Sequence, residues 1–548
     1  MQYIEKYNRW ISSSLVDEDT KKELGKLSKQ DIKECFYSDL EFGTGGLRGV
    51  MAAGTNRMNV YTIRLTTQGV AQELLDNGEE FSKKGVVIAY DSRNNSELFA
   101  KETAKVFLGN GIKTYLFSSL RPTPELSFAL RYLGCARGVV ITASHNPKEY
   151  NGYKVYAEDG GQITPETAKK ITRYIRNTDI FDDIKISSEK PQMISEEIDR
   201  AYIEAVKDEG FLEDIKEDLK VVYTPLHGAG CESVKSILYQ IGVKNLFVVP
   251  EQEKPCGDFP TVKSPNPENP EAFDISVKYA KEIDADLIIG TDPDSDRVGV
   301  VIKDRNGEYI TLNGNQTGCI LTEYILRKSK EKGLLTSNST VVKTIVTTEM
   351  VRAIADDYSI KTCDVLTGFK YIGDKIKLFE EEGNAERFVF GLEESFGYLK
   401  GSYARDKDAV VAAMLMCEAA ADYNKRGMSV YEGLEELYKK YGYFKEELET
   451  ITFEGIDGEK KIKELMQIFR NEEIPFKVTE KLDYLEGIDG LPVSDVLKFK
   501  MENAWVAVRP SGTEPKIKFY FGVYGKDKVL ADEEMKKIKY FFLKKANI

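Results

Sequence analysis

Short apolar, β-branched runs alternate with longer stretches of helical period along most of this chain, which is the pattern of an α/β protein. The first clear strand is "GVVIAYDSR" (85–93), and "SELFAKETAKVFLGNG" after it has helical spacing. "ARGVVITASHNP" repeats an apolar strand that runs straight into a polar loop. A second unit opens at "LKVVYTPLHGAGCESVKSILYQIG" and passes through the proline-rich "FPTVKSPNPENPEAF" to "ADLIIGTDPDSDRVGVVI". A third, from near Asn315, contains "STVVKTIVTT", "ERFVFGLEESFGY" and the helix "AVVAAMLMCEAAA". After about Tyr441 the pattern changes. "AWVAVRPSGTEPKIKFYFGVYG" predicts two strands joined by a Gly/Pro loop, hence an α+β domain with antiparallel pairing. The charged stretch from Asp182 to Asp199 predicts a linker or a crossing over the surface.

At 548 residues the chain is too long for one core, and its length predicts three or four domains. A composition of 41% hydrophobic and 30% charged residues is that of a soluble globular protein. The net charge of −13 argues against general nucleic-acid binding and requires that an anionic substrate be drawn in by a local basic site or a metal. Seven scattered cysteines without a C-x-x-C pair fit a reducing compartment better than a disulfide framework or a zinc site. The N-terminal segment is charged from its fifth residue and has no apolar signal core, and no apolar run reaches membrane-spanning length. The expectation is a cytoplasmic protein with neither nucleic-acid nor membrane partners, and with no sequence signal of its oligomeric state.

Several strands end in loops dense in polar residues: "TASHNP", "GTDPDSDR", "GLEES" and "RPSGTEP". In open α/β sheets ligands gather at the carboxyl ends of strands, so these loops can face one cleft. In "GTDPDSDR" the alternation of Asp292, Asp294 and Asp296 lets a tight loop turn three carboxylates to one point. Three oxygen ligands without His or Cys suit a hard cation, Mg²⁺ or Ca²⁺. An EF-hand fails, because its glycine and glutamate positions hold Arg297 and Lys303. The competing reading is an acidic surface turn. In "RPSGTEP", Arg509 offers a bidentate phosphate contact, Ser511 and Thr513 offer hydroxyls, and Gly512 admits backbone N–H groups to an anion. An ordinary hairpin turn explains the same residues. Glu393 and Ser395 alternate at a strand end and can share one polyol, while "TGFKYI" adds Thr367 and Lys370, and "YARDKDAV" adds Lys407. Each lysine is by default a solvated surface charge, and Asp408 a helix N-cap.

Ser144 beside His145 in "TASHNP" raises three possibilities: an acyl nucleophile with its base, a bystander in a turn, or a carrier of another group. The G-x-S-x-G elbow of a hydrolase is absent, and adjacent side chains are expected to diverge. A serine near a three-carboxylate metal site and a separate anion grip makes better sense as a phosphate carrier.

Taken in order and spacing, "TASHNP", "GTDPDSDR", "GLEESFG" and "RPSGTEP" resemble the α-D-phosphohexomutase superfamily, the phosphoglucomutase/phosphomannomutase group, from "FGTGGLRG" at Phe42 onward. The resemblance implies four domains round a central cleft, three α/β and a last one of TATA-binding-protein-like α+β fold. Their expected bounds are 1–205, 206–314, 315–441 and 442–548. It implies that Ser144 is phosphorylated and, with Asp292, Asp294 and Asp296, holds Mg²⁺. Arg48, His145, Lys154 and Arg297 would surround the transferring phosphoryl group, Lys154 moving a proton. Thr367, Lys370, Glu393, Ser395 and Lys407 would contact the substrate, and Arg509, Ser511, Gly512 and Thr513 would hold the phosphate that does not react. The implied activity moves a phosphoryl group within a sugar phosphate through a bisphosphate such as glucose 1,6-bisphosphate. One phosphate loop serving both orientations favours a mobile fourth domain. Pro293 replaces a glycine common in the family, and "EESFG" differs from the "EMSGH" of dual glucose/mannose members. With "TPLHG" and "SPNPENPEAF", these departures resemble the glucose and pentose branch, and glucose phosphates are the favoured substrates. Mannose or pentose phosphates, a metal-dependent phosphatase and a silent sugar-phosphate binder are the alternatives.

Overall fold

The computed structural model describes residues 2–546 except 44, 213–214, 216–217, 454–455, 489 and 512–515. Four sheets follow one another along the chain. In space the first runs Gly46–Val50, Tyr150–Ala157, Arg137–Ile141, Val86–Tyr90, Thr114–Phe117, Gln192–Ile194. The second runs Tyr309–Leu312, Val298–Lys303, Leu287–Thr291, Lys220–Thr224, Asn245–Val248. The third runs Lys361–Val365, Thr340–Thr344, Phe388–Glu393, Gly397–Leu399. The fourth, Tyr443–Thr452, Lys516–Gly525, Ala504–Pro510, Leu497–Met501, Val478–Asp483, is antiparallel throughout.

The first three sheets share one local device. A strand paired in parallel on one side ends in a polar loop, and the chain returns antiparallel on its other side. Arg137–Ile141 returns as Tyr150–Ala157, Leu287–Thr291 as Val298–Lys303, and Phe388–Glu393 as Gly397–Leu399. The outgoing strands Arg137–Ile141 and Leu287–Thr291 are buried at every position, as helices on both faces of a largely parallel sheet require. Each loop also holds one non-glycine residue in the left-handed region: Ser144 at φ +50°, Ser295 at +51° and Phe396 at +65°. Such backbone costs of order 1–3 kcal/mol and persists where surrounding contacts over-determine it.

Residues from all three sheets join one apolar core, threaded by the helix Ala409–Lys425, whose side chains are buried from Ala409 through Tyr423. The fourth sheet has its own core under the helix Lys528–Lys545. It meets the rest through a smaller patch in which Trp505, Ala507 and Tyr520 pack on Ile345, Val346 and Leu366. The stretch 182–199 is not simply a linker. Its end forms the edge strand Gln192–Ile194, parallel to Thr114–Phe117, and then starts the helix Glu196–Asp208, whose Ile198 and Tyr202 enter the common core. Dense charge hid those two apolar anchors.

Candidate active site

The three aspartates meet as their alternation suggests. After Leu287–Thr291 the chain turns tightly, the Ser295 N–H donating to the Asp292 carbonyl at 2.9 Å. One carboxylate oxygen from each of Asp292, Asp294 and Asp296 lies within 4.8 Å of the others, and all three residues are buried. The "TPLHGAG" segment backs this turn. A Cβ on Gly228 would fall 2.6 Å from Pro293 Cα, and one on Gly230 2.3 Å from Ser295 Oγ, so only glycine fits at either place. From the first domain, Thr123 gives its N–H to the Asp294 carbonyl and its hydroxyl to Asp294 Oδ2, both at 2.8 Å.

Two lysines neutralise the cluster unevenly. Lys154 Nζ donates to Asp294 Oδ2 at 2.7 Å and Asp296 Oδ2 at 3.3 Å, and Lys407 Nζ lies 2.8 Å from Asp296 Oδ2. Lys407 is therefore a buried partner of the aspartates and not the surface charge its type suggests. Among the described residues neither lysine pairs with Asp292, whose Oδ2 instead accepts from Ser144 Oγ at 2.6 Å. Burial first, then repulsion by Asp294 and Asp296, pushes the Asp292 carboxyl well above its ordinary range. Burial also opposes ionisation of Asp294, but the Lys154 ammonium outweighs it and holds that carboxyl low. Asp294 Oδ1 and Asp296 Oδ1 are buried without a hydrogen-bond partner. Orphaned carboxylate oxygens in an all-oxygen cluster fit a hard divalent cation, and this acidic triad can bind a metal ion.

Ser144 is buried in the loop after Arg137–Ile141, and its neighbours explain its position. Arg93, at the end of the strand that pairs alongside, donates to the carbonyls of Ser144 and Asn146 at 2.5 Å each, and to those of Pro147 and Tyr150 at 2.9 and 3.0 Å. Asp91 accepts from Thr142 Oγ1 at 2.6 Å, and that hydroxyl accepts from the Ser144 N–H at 2.8 Å. The expectation that Ser144 and His145 diverge is corrected here. The left-handed φ of Ser144 folds the chain so that its Oγ lies 3.1 Å from His145 Nδ1. Burial, then the cations Arg297 and Arg48, hold His145 well below its ordinary value, so its ring is neutral at pH 7. Arg48 donates to Asn146 Oδ1 at 2.8 Å. It stands opposite Gly152 in the sheet, two residues from Lys154, so both cations face the same side. Arg297 pairs with Glu268 of the proline-rich loop, and Ser264 of that loop donates to the His145 carbonyl at 2.8 Å.

Glu393 ends its strand buried, and burial pushes its carboxyl up to about 7, with Lys407 pulling the other way. Ser395 bonds to it from the turn beyond. A second group of cations lies at the fourth sheet. Arg509 stands directly opposite Lys518 in the register, with Lys370 at the start of the helix Lys370–Glu381 near enough to feel its charge, and Thr367 lies three residues before that helix. Burial and the neighbouring Arg509 charge lower both Lys370 and Lys518 below the usual ammonium range, the mark of cations awaiting an anion. The Ser511 N–H donates to the Lys516 carbonyl at 2.7 Å, while Gly512 and Thr513 lie outside the described residues. Arg297 and Glu268 stand between the two groups, close enough to perturb Lys518. Arg93, Asp91, Thr142, Thr123, Glu268 and Lys518 were not among the sequence candidates. For Asp91 and Arg93 a signal existed, since "YDSR" puts polar residues at the carboxyl end of a buried strand.

Four family descriptions match successive parts of the chain. They are phosphoglucomutase/phosphomannomutase alpha/beta/alpha domain I over 39–180, domain II over 200–307, domain III over 313–441 and the C-terminal domain over 459–537. A phosphoglucomutase of Staphylococcus epidermidis is 37% identical over 537 residues, 94% of this chain and 96% of its own. One from Staphylococcus saprophyticus is 37% identical over 514 residues, 89% of this chain and 91% of its own. Among solved structures, the phosphoglucomutase parafusin of Paramecium in its open form superposes with a TM-score of 0.69 at 17% identity, covering 93% of this chain and 96% of that one. An Aspergillus fumigatus N-acetylphosphoglucosamine mutase, in complex with GlcNAc-6P and magnesium, gives 0.50 at 14% identity, over 99% of this chain and 98% of that one.

Proposed function

Because the chain belongs to the phosphoglucomutase/phosphomannomutase family, we propose that it interconverts glucose 1-phosphate and glucose 6-phosphate through phosphorylated Ser144 and glucose 1,6-bisphosphate. The observation that carries this reading is the Ser144 hydroxyl seated 2.6 Å from Asp292, at a buried three-carboxylate cluster, with a separate group of cations at the fourth sheet. A bisphosphate needs two such ends. The segment 1–205 then contributes the phosphoserine loop, 206–314 the metal loop, 315–441 the sugar loop and 442–548 the loop for the second phosphate.

In each half-reaction the bond from Ser144 Oγ to phosphorus breaks as one forms from a sugar hydroxyl oxygen, or the reverse. Asp292, Asp294, Asp296 and the Ser144 phosphate would hold Mg²⁺, which would supply positive charge at the transferring phosphoryl group. Arg48 and Arg297 neutralise its remaining oxygens. The neutral His145 ring beside Ser144 Oγ can take a proton. Lys154, its charge reinforced by Asp294 and Asp296, is a donor; it becomes an acceptor only once those carboxylates turn to another cation. Glu393, its carboxyl raised to about 7 and interacting with Ser395, can donate to or accept from a sugar hydroxyl, with Lys407 beside it and Thr367 offered as a further substrate contact. Arg509, Ser511, Gly512 and Thr513, with Lys370 and Lys518, hold the phosphate that does not react.

A coupled assay with Mg²⁺ and catalytic glucose 1,6-bisphosphate tests this. Glucose 1-phosphate should give the highest kcat/KM among glucose, mannose and ribose phosphates, without release of free phosphate. Stoichiometric phosphate release makes the protein a phosphatase, and faster turnover of ribose 1-phosphate makes it a phosphopentomutase.

A further inference from the structure

We infer that the segment Thr344–Glu349 is a coupling element that ties the sugar loop to the fourth domain, and that Lys498 is the positioning residue that pins the domain to it. The inference rests on the mutase reading above.

The segment leaves the central strand Thr340–Thr344 of the third sheet and touches both functional groups. On one side Thr344 Oγ1 and Thr347 Oγ1 donate to Glu394 Oε2 at 2.9 and 3.2 Å, which fixes the residue between Glu393 and Ser395. On the other side Lys498 Nζ, fully buried and reaching in from the strand Leu497–Met501, donates to the Ile345 carbonyl at 2.5 Å. Its ammonium also lies over the Trp505 ring, with Nζ 4.7 Å from the centroid. Glu349 closes the segment and is shared by Lys343 at 3.1 Å and Lys498 at 3.6 Å.

The fourth sheet delivers its anion grip from the face that rests on this segment. Trp505, Ala507 and Arg509 alternate along one strand and so point to one side. Lys498 and Tyr520 stand opposite Ala507, and Lys518 opposite Arg509, on the two neighbouring strands. The surface that carries Arg509 and Lys518 thus continues into the patch seated on Ile345 and Val346. The fourth domain has its own core, so its placement depends on its contacts with the rest, of which this patch is one beside Phe444 on the common core and the paired Tyr438 and Tyr443 rings. Within the patch Lys498 supplies a buried charge-assisted bond to the segment's backbone. A shift at Ile345 moves the grip on one side and Glu394 on the other.

The test is a cycle of Lys498→Met and Thr347→Val, assayed with glucose 1-phosphate and glucose 1,6-bisphosphate. Lys498→Met keeps an apolar side chain of similar length and removes the ammonium, with its bond to Ile345, its place over the Trp505 ring and its pairing with Glu349. It should raise KM about tenfold, the scale of one buried charge-assisted hydrogen bond, with a smaller change in kcat. Lys498→Arg should recover most of the loss. Among the described residues the Thr347 side chain bonds to Thr344 and Glu394 and makes no hydrogen bond to the fourth domain, and Lys498 makes no hydrogen bond or ion pair with Glu394. Coupling through the segment therefore makes the double variant no worse than the weaker single one, whereas independent sites multiply their effects. A KM within twofold of wild type for Lys498→Met, or multiplicative effects, overturns the inference. If Lys498→Met does not fold, Lys498→Gln takes its place in the cycle with Thr347→Val, and multiplicative effects again overturn the inference. A wild-type protein without mutase activity overturns instead the functional reading beneath it.

Discussion

Binding of Mg²⁺ to the unphosphorylated protein should release close to one proton, and that proton should come from Asp292. Three carboxylate oxygens lie within 4.8 Å of one another. At an effective dielectric of about 20, two unit charges at that distance repel by about 3.5 kcal/mol, or roughly 2.5 pKa units for each pair. Asp294 and Asp296 have Lys154 and Lys407 to offset this, whereas Asp292 has a serine hydroxyl. Full ionisation of all three in the metal-free protein is therefore opposed, and although the Asp296 and Arg297 N–H groups donate to Asp292 Oδ1, Asp292, raised by burial and by its two neighbours, is the expected site of the remaining proton. A divalent cation needs the carboxylate, so binding expels the proton. Apparent affinity should rise about tenfold per pH unit while Asp292 remains protonated, and then level off.

Calorimetric titration with MgCl₂ in two buffers of unequal ionisation enthalpy reads the proton count directly. A second readout follows from the sign of the shift. A carboxyl raised in the folded state stabilises the fold below its unfolded value, and this is lost as pH rises through the folded value. The metal-free protein should thus melt lower as pH rises through the Asp292 transition, and saturating Mg²⁺ should abolish the trend. Asp292→Asn should bind more weakly and release no proton. Zero proton release by the wild-type protein, with affinity flat from about pH 5.5 to about pH 8, would refute the reasoning.

Ser144→Ala should melt as the wild type does yet show no steady turnover with glucose 1-phosphate, and retained mutase activity would remove Ser144 from the phosphate-carrying role. Arg93→Met strips four backbone carbonyls of a buried charged donor and leaves Asp91 without its ion pair; at about 1.5–3 kcal/mol per charged hydrogen bond, it should cost at least about 3 kcal/mol in denaturant unfolding and lower kcat more than tenfold. Arg509→Ala should lower kcat/KM by roughly ten- to a hundredfold in both directions, and a loss confined to one direction would contradict a grip shared by both orientations of the sugar.

The sequence disclosed the chemistry of the site better than its geometry. The aspartate alternation, the serine without a hydrolase elbow and the Arg-Pro-Ser-Gly-Thr run are local signals, each written in a few consecutive residues, and the three aspartates do meet within one turn. Arg93 is different. Its partners lie more than fifty positions away in sequence, and nothing in "YDSR" says that the guanidinium reaches across a sheet to four carbonyls. Lys407 was misjudged as a type, since a lysine is buried only where carboxylates wait, and its carboxylate Asp296 lies in another domain. The recurring strand and polar loop were legible, but the antiparallel return strand after each loop was hidden. Its mark is a left-handed residue in each loop, and Ser144, Ser295 and Phe396 are not the glycines that announce that conformation.

That repetition bears on how the protein can accept one sugar in two orientations. The loops that carry Ser144, the aspartates and Glu393 end strands whose sheets share a single close-packed core, so these residues hold fixed separations. The cations of the fourth sheet stand on a body with its own core, joined to the rest through the patch at Ile345, Val346 and Leu366. Glucose 1-phosphate and glucose 6-phosphate set their two ends at different reach. A rigid three-sheet body cannot absorb that difference without losing the alignment that phosphoryl transfer demands. The adjustment therefore falls on the fourth domain, and the strength of its attachment sets a compromise. Too loose, and the second phosphate is poorly held; too tight, and only one orientation fits.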